Sequence, residues 1–139
     1  MGILLDTNVL SELMRSTPDV KVLAWFQQQD APFHTSTITR AEILLGIALL
    51  PEGKRRDALA VAAEKMFAED FAGRCLAFDD EAAAQYALLV AARYRSGLPI
   101  STEDGQISAI ALHHNLPLAT RNVKDFARIE GLTVLNPWK

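Results

Sequence analysis

The chain has 139 residues, half of them apolar, and a formal net charge of −3. This length and this apolar content predict one globular domain with a sizeable core, and they exclude a disordered chain. The mild negative charge gives no overall electrostatic reason to expect nucleic-acid binding. An enzyme that acts on nucleic acid would therefore need a bound cation to neutralise some of its acids.

Short apolar runs alternate with helical patterns along the whole chain. In chain order, the predicted elements are strand Ile3–Leu5, helix Leu10–Met14, helix Val20–Gln28, strand Phe33–Ser36, helix Ile38–Leu50, helix Glu52–Phe71, strand Cys75–Phe78, helix Glu81–Arg95, helix Glu103–His114, strand Leu118–Thr120, helix Val123–Ile129 and strand Thr133–Leu135. Glycine and proline residues follow several of the predicted helices and favour their termination there.

Short apolar strands separated by helices are typical of right-handed βαβ units. The sequence therefore predicts a three-layer α/β/α sandwich with a parallel sheet of about five strands. We expect a single domain over residues 1–139, in which residues 52–71 form a helical arm outside the layers. In such folds, ligands bind beyond the carboxyl ends of the strands.

The only cysteine, Cys75, lies in an apolar run and is expected to be a small buried side chain rather than a catalytic thiol. A single cysteine forms no intramolecular disulfide, so a reducing compartment is expected. The first residues lack the basic and long apolar regions of a secretion signal. The longest apolar runs, such as Ile43–Leu50, are too short to span a bilayer. We expect a cytoplasmic protein that is not bound to membranes.

Acidic and amide side chains recur at the predicted carboxyl edge of the sheet. Asp6 directly follows the first strand, and Glu42 and Asp104 fall in the first turns of two later helices. Asn122 and Asp125 follow the fourth strand. Four separate segments thus bring oxygen-bearing side chains to helix starts, where we expect them to share one edge of the sheet.

Taken singly, each acid has an alternative role in capping a helix. Asp6 or Asn8 can cap the first helix. The segments Thr39–Glu42 and Ser101–Asp104 both fit the capping-box pattern. The helix dipole favours Asp125 at its position as well.

Taken together, the capping roles explain the acids less well, because several carboxylates at one edge repel each other. A bound cation would neutralise such a cluster, and oxygen ligands alone favour Mg²⁺ or Mn²⁺. The histidines do not match the edge positions. His34 lies within a predicted strand and His113 and His114 lie near a helix end, so structural or solvated roles are expected for them.

Four stretches of the sequence resemble those of PIN-domain proteins, and in particular of VapC-type toxins in the branch that includes FitB-like proteins. They are "LLDTNVLSEL", "TRAEILLGI", "EDGQISAIALHHNLPLATRN" and "VLNPW". The resemblance covers almost the whole chain, in order. It implies the α/β/α sandwich that the strand and helix pattern also predicts.

The resemblance implies a Mg²⁺- or Mn²⁺-dependent endoribonuclease, the toxin of a type II toxin–antitoxin pair. The expected partners are RNA, a cognate antitoxin protein and a second copy of the chain. The expected products carry a 5′-phosphate and a 3′-hydroxyl. RNA contacts are expected from Arg40, Lys54–Arg56, Arg121 and Lys124. The alternative is that these side chains are solvated at the surface or form ion pairs with the acids of the site.

The family's acids fall on Asp6, Glu42 and Asp104, which are therefore the expected catalytic residues. Asp6 and Asp104 would bind the metal, and Glu42 would bind it directly or through water. The fourth family position, often acidic, falls on Asn122. This departure leaves two possibilities open: Asn122 acts as a neutral oxygen partner, or Asp125 supplies the missing charge. Neither residue is expected to bind the metal directly.

Two other functions fit parts of the same pattern. An Asp after the first strand also occurs in haloacid-dehalogenase-type phosphatases, but those need a second Asp where this chain has Asn8. A PIN-like domain that lacks one acid could be a catalytically degenerate binding module. The presence of Asp6, Glu42 and Asp104 argues against that second alternative.

Overall fold

The computed structural model describes residues 2–139, which contain a five-stranded sheet and seven α-helices. The strands are β1 (Ile3–Leu5), β2 (Phe33–Ser36), β3 (Cys75–Leu76), β4 (Leu118–Ala119) and β5 (Val134–Leu135). The helices are α1 (Thr7–Leu13), α2 (Val20–Gln28), α3 (Thr37–Ala48), α4 (Lys54–Lys65), α5 (Asp80–Arg95), α6 (Thr102–His113) and α7 (Val123–Phe126). None of these helices is both long and apolar enough to cross a membrane.

All strand pairs are parallel, in the order β3-β2-β1-β4-β5, which confirms the predicted sheet. Strand β1 lies at the centre, where Leu4 pairs with His34 of β2 and with Leu118 of β4. The chain builds β2 and β3 on one side of β1 and then returns to place β4 and β5 on the other. The strand order therefore reverses beside β1, and a crevice opens at the carboxyl ends of β1 and β4.

The alternating side chains of β1 divide the core into two apolar layers. Ile3 and Leu5 pack in one cluster with Ile43 of α3, whereas Leu4 packs in the other with Ile107 of α6. Because successive strand residues point to opposite faces, helices must cover both faces of the sheet. The three-layer α/β/α arrangement predicted from the sequence is therefore present.

Helix α3 begins earlier than the sequence pattern indicated. Ser36 is its N-cap, and the Ser36 hydroxyl accepts a hydrogen bond of 3.1 Å from the backbone N–H of Thr39. Glu42 consequently lies in the second turn rather than the first. The predicted capping box between Thr39 and Glu42 was wrong, because Ser36 already takes the role of the cap.

The segment expected to form a helical arm, residues 52–71, contains α4 and a π-helical turn, Met66–Asp70. Phe67 and Phe71 from its end are only 4% and 5% exposed and pack in the same cluster as β1 residues Ile3 and Leu5. The guanidinium of Arg40 lies 5.4 Å from the centre of the Phe67 ring. The end of this segment is thus anchored in the core by its aromatic side chains.

Arg93 is a buried cation that holds two distant parts of the chain together. It is 7% exposed and donates hydrogen bonds to three backbone carbonyls. Its Nε binds Leu98 O at 2.8 Å, and its terminal nitrogens bind Asp125 O at 3.2 Å and Ala127 O. Arg93 therefore ties the connection between α5 and α6 to α7 and its end.

We expect Arg93→Met to lower the free energy of unfolding by about 3 kcal/mol, because three backbone carbonyls would lose a charged donor that is itself buried. Arg95→Met is the matched control, since Arg95 lies on the same helix but is exposed; its expected effect is below about 0.5 kcal/mol. Urea unfolding of both variants measures the difference. Equal stabilities would contradict the proposed role of Arg93.

Candidate active site

A cavity of about 500 Å³ opens at the carboxyl ends of β1 and β4. Its lining residues come from α1, α3, α6 and the end of β4, and they are Asp6, Thr7, Asn8, Ser11, Glu12, Arg15, Glu42, Asp104 and Asn122. The predicted site residues Asp6, Glu42, Asp104 and Asn122 are thus brought together from four segments. Asp125 does not line this cavity.

Asp6 is buried at the mouth of β1, with 4% of its surface exposed. Its Oδ1 accepts a hydrogen bond of 2.8 Å from the Thr7 N–H, so Asp6 is the N-cap of α1. Its Oδ2 accepts hydrogen bonds from the Thr120 hydroxyl at 2.8 Å and from Asn8 Nδ2 at 3.2 Å. The carboxylate of Asp6 therefore both caps α1 and lines the cavity.

Burial raises the pKa of Asp6 from its ordinary value of 3.8 to about 6. The hydrogen bonds from Thr120 and Thr7 oppose this rise, whereas the nearby charges of Asp104 and Glu42 add to it. An ionised Asp6 is thus less stable here than in water. A cation bound in the cavity would favour the ionised form.

Glu42 reaches the cavity from the second turn of α3, and two threonines fix its position. Its Oε1 accepts a hydrogen bond of 2.7 Å from the Thr7 hydroxyl. That hydroxyl lies 3.0 Å from the hydroxyl of the buried Thr39. The carboxylate of Glu42 is therefore oriented directly by Thr7 of α1, whose hydroxyl in turn contacts Thr39 of α3.

Asp104 lies in the first turn of α6, where Ser101 is the N-cap as the sequence pattern predicted. The Asp104 N–H donates to the Ser101 hydroxyl at 3.2 Å. Burial raises the pKa of the Asp104 carboxyl, the hydrogen bond with Ser101 opposes the rise, and the charges of Asp125 and Glu42 strengthen it. Asp125 is thus close enough to act on Asp104 although it lies outside the cavity.

Thr120 joins the end of β4 to the site, and the sequence analysis did not single it out. It is fully buried, and its Oγ1 donates to Asp6 and lies within hydrogen-bond distance of Asn8 Nδ2 at 3.3 Å. The same oxygen accepts from the Asn122 N–H at 3.0 Å. A polar residue at the carboxyl end of a buried strand was the signal that could have identified Thr120.

Glu12 and Arg15 are two further lining residues that the sequence pattern did not indicate. Glu12 is 7% exposed, and its Oε2 accepts from the Asp19 N–H at 2.9 Å and pairs with Arg15 at 3.1 Å. The histidines stay outside the cavity, as expected. His113, for example, lies 3.3 Å from Glu81 on the neighbouring helix.

The donor set of the cavity suits a hard divalent cation in an open site. Within residues 2–139, no three carboxylate, imidazole or thiol side chains are close enough to hold one metal jointly. The acids instead face a shared space from different sides, and all their donor atoms are oxygens. Mg²⁺ prefers this situation, because it keeps several waters and takes one or two carboxylates directly.

The sequence model of the PIN domain family matches residues 3–132. The chain belongs to the PIN-domain family. It is also similar to the plasmid stability protein StbB of Pseudomonas syringae pv. tomato, with 45% identity over 99% of each chain. The VapC ribonuclease Y4jK of Sinorhizobium fredii is 42% identical over 99% of this chain and 98% of its own.

The FitB-like branch is represented by two further comparisons. The toxin FitB of Neisseria gonorrhoeae is 41% identical over 98% of each chain. A chain in the crystal structure of FitAcB from Neisseria gonorrhoeae superimposes with a TM-score of 0.91 at 41% identity, again over 98% of each chain. The resemblance of this PIN domain to VapC-type and FitB-like proteins is therefore confirmed over the full chain.

The raised pKa of Asp6 predicts how the metal-free protein responds to pH. Between about pH 4 and pH 6 the unfolded state releases the Asp6 proton while the folded state keeps it, so stability falls as pH rises. The expected loss is on the order of 3 kcal/mol and ends above the folded pKa. Urea unfolding of the parent and of Asp6→Asn, in EDTA from pH 4 to pH 8, tests this. If both proteins have the same pH dependence, Asp6 does not carry the effect.

Proposed function

We propose that this PIN domain is a Mg²⁺- or Mn²⁺-dependent endoribonuclease, the toxin of a type II toxin–antitoxin pair. The observation that carries the proposal is the meeting of Asp6, Glu42 and Asp104 at one cavity, beside a strand-order reversal. The similarity to a VapC ribonuclease and to the toxin FitB supports the activity and the biological role.

Asp6 and Asp104 would bind the cation, with Glu42 reaching it directly or through water. When bound, the cation supplies an activated water nucleophile and offsets the charge that develops on the phosphodiester. Glu42 orients the attacking water and accepts its proton, since its carboxylate is exposed and already fixed by Thr7. Asn122 offers a neutral amide at the rim of the cavity and adds no charge.

The neighbouring hydroxyls and amides hold these carboxylates ready for the reaction. Thr120 and Asn8 together fix Oδ2 of Asp6, and the Thr7 N–H fixes Oδ1. A carboxylate fixed in this way needs little reorganisation when a cation or substrate binds. The reaction is an in-line hydrolysis that leaves a 5′-phosphate and a 3′-hydroxyl, and no side chain forms a covalent intermediate.

The same family membership supports a proposal for the partners and the location. A toxin–antitoxin complex from Klebsiella pneumoniae, which contains a chain with a similar fold, supports a cognate antitoxin as the protein partner. We also propose a homodimer in the cytoplasm, acting on cellular RNA.

A degenerate binding module is the second candidate, and Asn122 is the observation that favours it. The family position that is often acidic carries no charge here, so metal binding would be weaker than with four acids. The test is RNA cleavage by the purified protein over a Mn²⁺ titration. Cleavage at any metal concentration, with contaminating nuclease excluded, rules out the module; no cleavage at any concentration rules out the nuclease.

We expect Asp6→Asn and Asp104→Asn each to abolish RNA cleavage and growth inhibition without unfolding the protein, because each removes a direct metal ligand. Glu103→Gln is the matched control, since Glu103 is exposed in the same turn as Asp104 but does not line the cavity. This control should cleave like the parent. Undiminished cleavage by folded Asp6→Asn or Asp104→Asn would refute the assignment of that residue.

Mn²⁺ should raise the melting temperature of the parent, because a cation that binds only the folded state stabilises it by mass action. At about 100 times the dissociation constant the gain is about 2.7 kcal/mol. Thermal melts with Mn²⁺ and with EDTA measure the shift. An equal shift in Asp104→Asn would show that the metal binds elsewhere.

Asp125→Asn should lower the cleavage rate on the order of tenfold, about 1.4 kcal/mol, because Asp125 acts on the site from outside the cavity. Asn122→Asp should tighten metal binding by adding a carboxylate at the cavity rim. Cleavage rates over a Mn²⁺ series for both variants and the parent measure these effects. Complete inactivity of folded Asp125→Asn would make Asp125 the fourth acid, and an unchanged metal dependence in Asn122→Asp would place residue 122 outside the site.

A further inference from the structure

A second cavity, of about 600 Å³, adjoins the cavity of the candidate active site, which we call the acidic cavity because Asp6, Glu42 and Asp104 line it. The two share Asn122, which lies on the rim between them. The second cavity is formed by α7 and the segment after β5, and its lining residues are Arg121, Asn122, Val123, Lys124, Asp125, Val134, Asn136 and Lys139. We call it the basic cavity, because three of these side chains are cationic and only Asp125 is acidic.

The cations of the basic cavity are not neutralised by neighbouring acids. Among residues 2–139, no carboxylate lies within ion-pair distance of Arg121, Lys124 or Lys139. All three residues are exposed. In a chain whose net charge is −3, such a group of unpaired cations beside a cluster of acids is a local reversal of charge that would attract an anion.

Arg121 is held in place at the border of the two cavities. Its backbone N–H donates to Asn8 Oδ1 at 3.2 Å, and Asn8 in turn binds the Asp6 carboxylate. Its guanidinium lies 5.1 Å from the centre of the Trp138 ring. The geometry therefore links this cation to the acidic cavity through a single intervening residue.

The opposite flank of the acidic cavity offers a phosphate much less. A cavity of about 710 Å³ lies there between α1, α3 and α4, and most of its lining is apolar, including Met14, Ile47 and Leu59. Arg15, which lines both this cavity and the acidic cavity, is already paired with Glu12, so Arg55 of α4 is the one unpaired cation among these lining residues. The basic cavity offers a polyanion three unpaired cations, and the opposite flank offers one.

We propose that the basic cavity binds the phosphate next to the scissile one in a single-stranded RNA substrate, with Arg121 and Lys124 as its main contacts. The inference rests on the proposed function, because it places the scissile phosphate at the acidic cavity. The strand then passes over Asn122, and its next phosphate meets the unpaired cations. Such contacts position the strand and give affinity without reading its sequence.

The test measures RNA binding in an Asp6→Asn background, where cleavage does not consume the probe. A short fluorescein-labelled single-stranded RNA of randomised sequence is titrated by anisotropy over a series of KCl concentrations. Arg121→Gln/Lys124→Gln should reduce the slope of log affinity against log salt by about 0.7, the value for one phosphate of a single strand that is no longer neutralised. Lys124→Gln alone, at an exposed position, should reduce the slope by a smaller amount, because Arg121 still contacts the same phosphate.

The matched control is Lys65→Gln/Arg95→Gln, which removes one lysine and one arginine that are exposed and line none of these cavities. Its slope should stay close to that of the background. Equal slopes for the two double variants would overturn the inference. Weaker binding of polyglutamate, with RNA binding unchanged, would also overturn it and assign the cavity to an acidic protein partner.

Cleavage of unlabelled RNA by the parent in Mn²⁺, run in parallel, separates this inference from the proposed function. If the parent cleaves RNA but the basic-cavity variants have the same salt dependence of binding as the Asp6→Asn background, the inference is wrong and the proposed function is not affected. A parent that does not cleave RNA at any Mn²⁺ concentration overturns the proposed function, and the inference with it. Thermal melts of the variants establish that each is folded.

Discussion

The structure depends on the burial of one carboxylate, Asp6, at the end of its central strand. Strand β1 has neighbours on both sides, so the Asp6 side chain lies almost completely out of water. A carboxylate in that position needs hydrogen-bond donors, and the protein supplies them from α1 and from Thr120 at the end of β4. The hydrogen bond from Thr120 to Asp6 also holds the carboxyl ends of β4 and β1 together, and it thereby positions Asn122, two residues after Thr120.

The remaining strain is electrostatic, and it connects stability with the proposed activity. Burial raises the pKa of Asp6 and of Asp104, the charge of Asp104 raises the pKa of Asp6 further, and the charge of Glu42 raises the pKa of both acids. Such a cavity favours either protons or a divalent cation. The burial and the repulsion of these carboxylates, which destabilise the metal-free protein, are thus also the source of its expected affinity for metal.

Arg93 shows how the fold supports the site from a distance. It binds the carbonyl of Leu98, which precedes the helix that carries Asp104, and the carbonyls of Asp125 and Ala127 at the far end of α7. Two segments that reach the site from different elements are therefore held by one buried guanidinium. The positions of the acids are set by this packing and by the sheet, because each acid belongs to a different segment.

The sequence by itself determined the fold class, most of the helices and strands, and three of the acids at the site. Apolar periodicity and turn residues act locally, so they can be identified from the sequence alone. The motif around Asp6 also resembles that of a known family. Only the tertiary structure decided which hydrogen bonds orient those acids. Thr120 reaches Asp6 across more than a hundred residues of chain, and Ser36 displaces Glu42 from the capping role that its spacing suggested.

The basic cavity was likewise invisible as a unit in the sequence. Arg121 and Lys124 were candidate RNA contacts, but Lys139 and Asn136 lie in a different segment, and only the pairing of β4 with β5 brings the two segments together. Whether a charged residue is paired or unpaired depends on contacts between distant segments. Local pattern carries no information about such contacts, which is why the charge distribution around the site was decided by the fold alone.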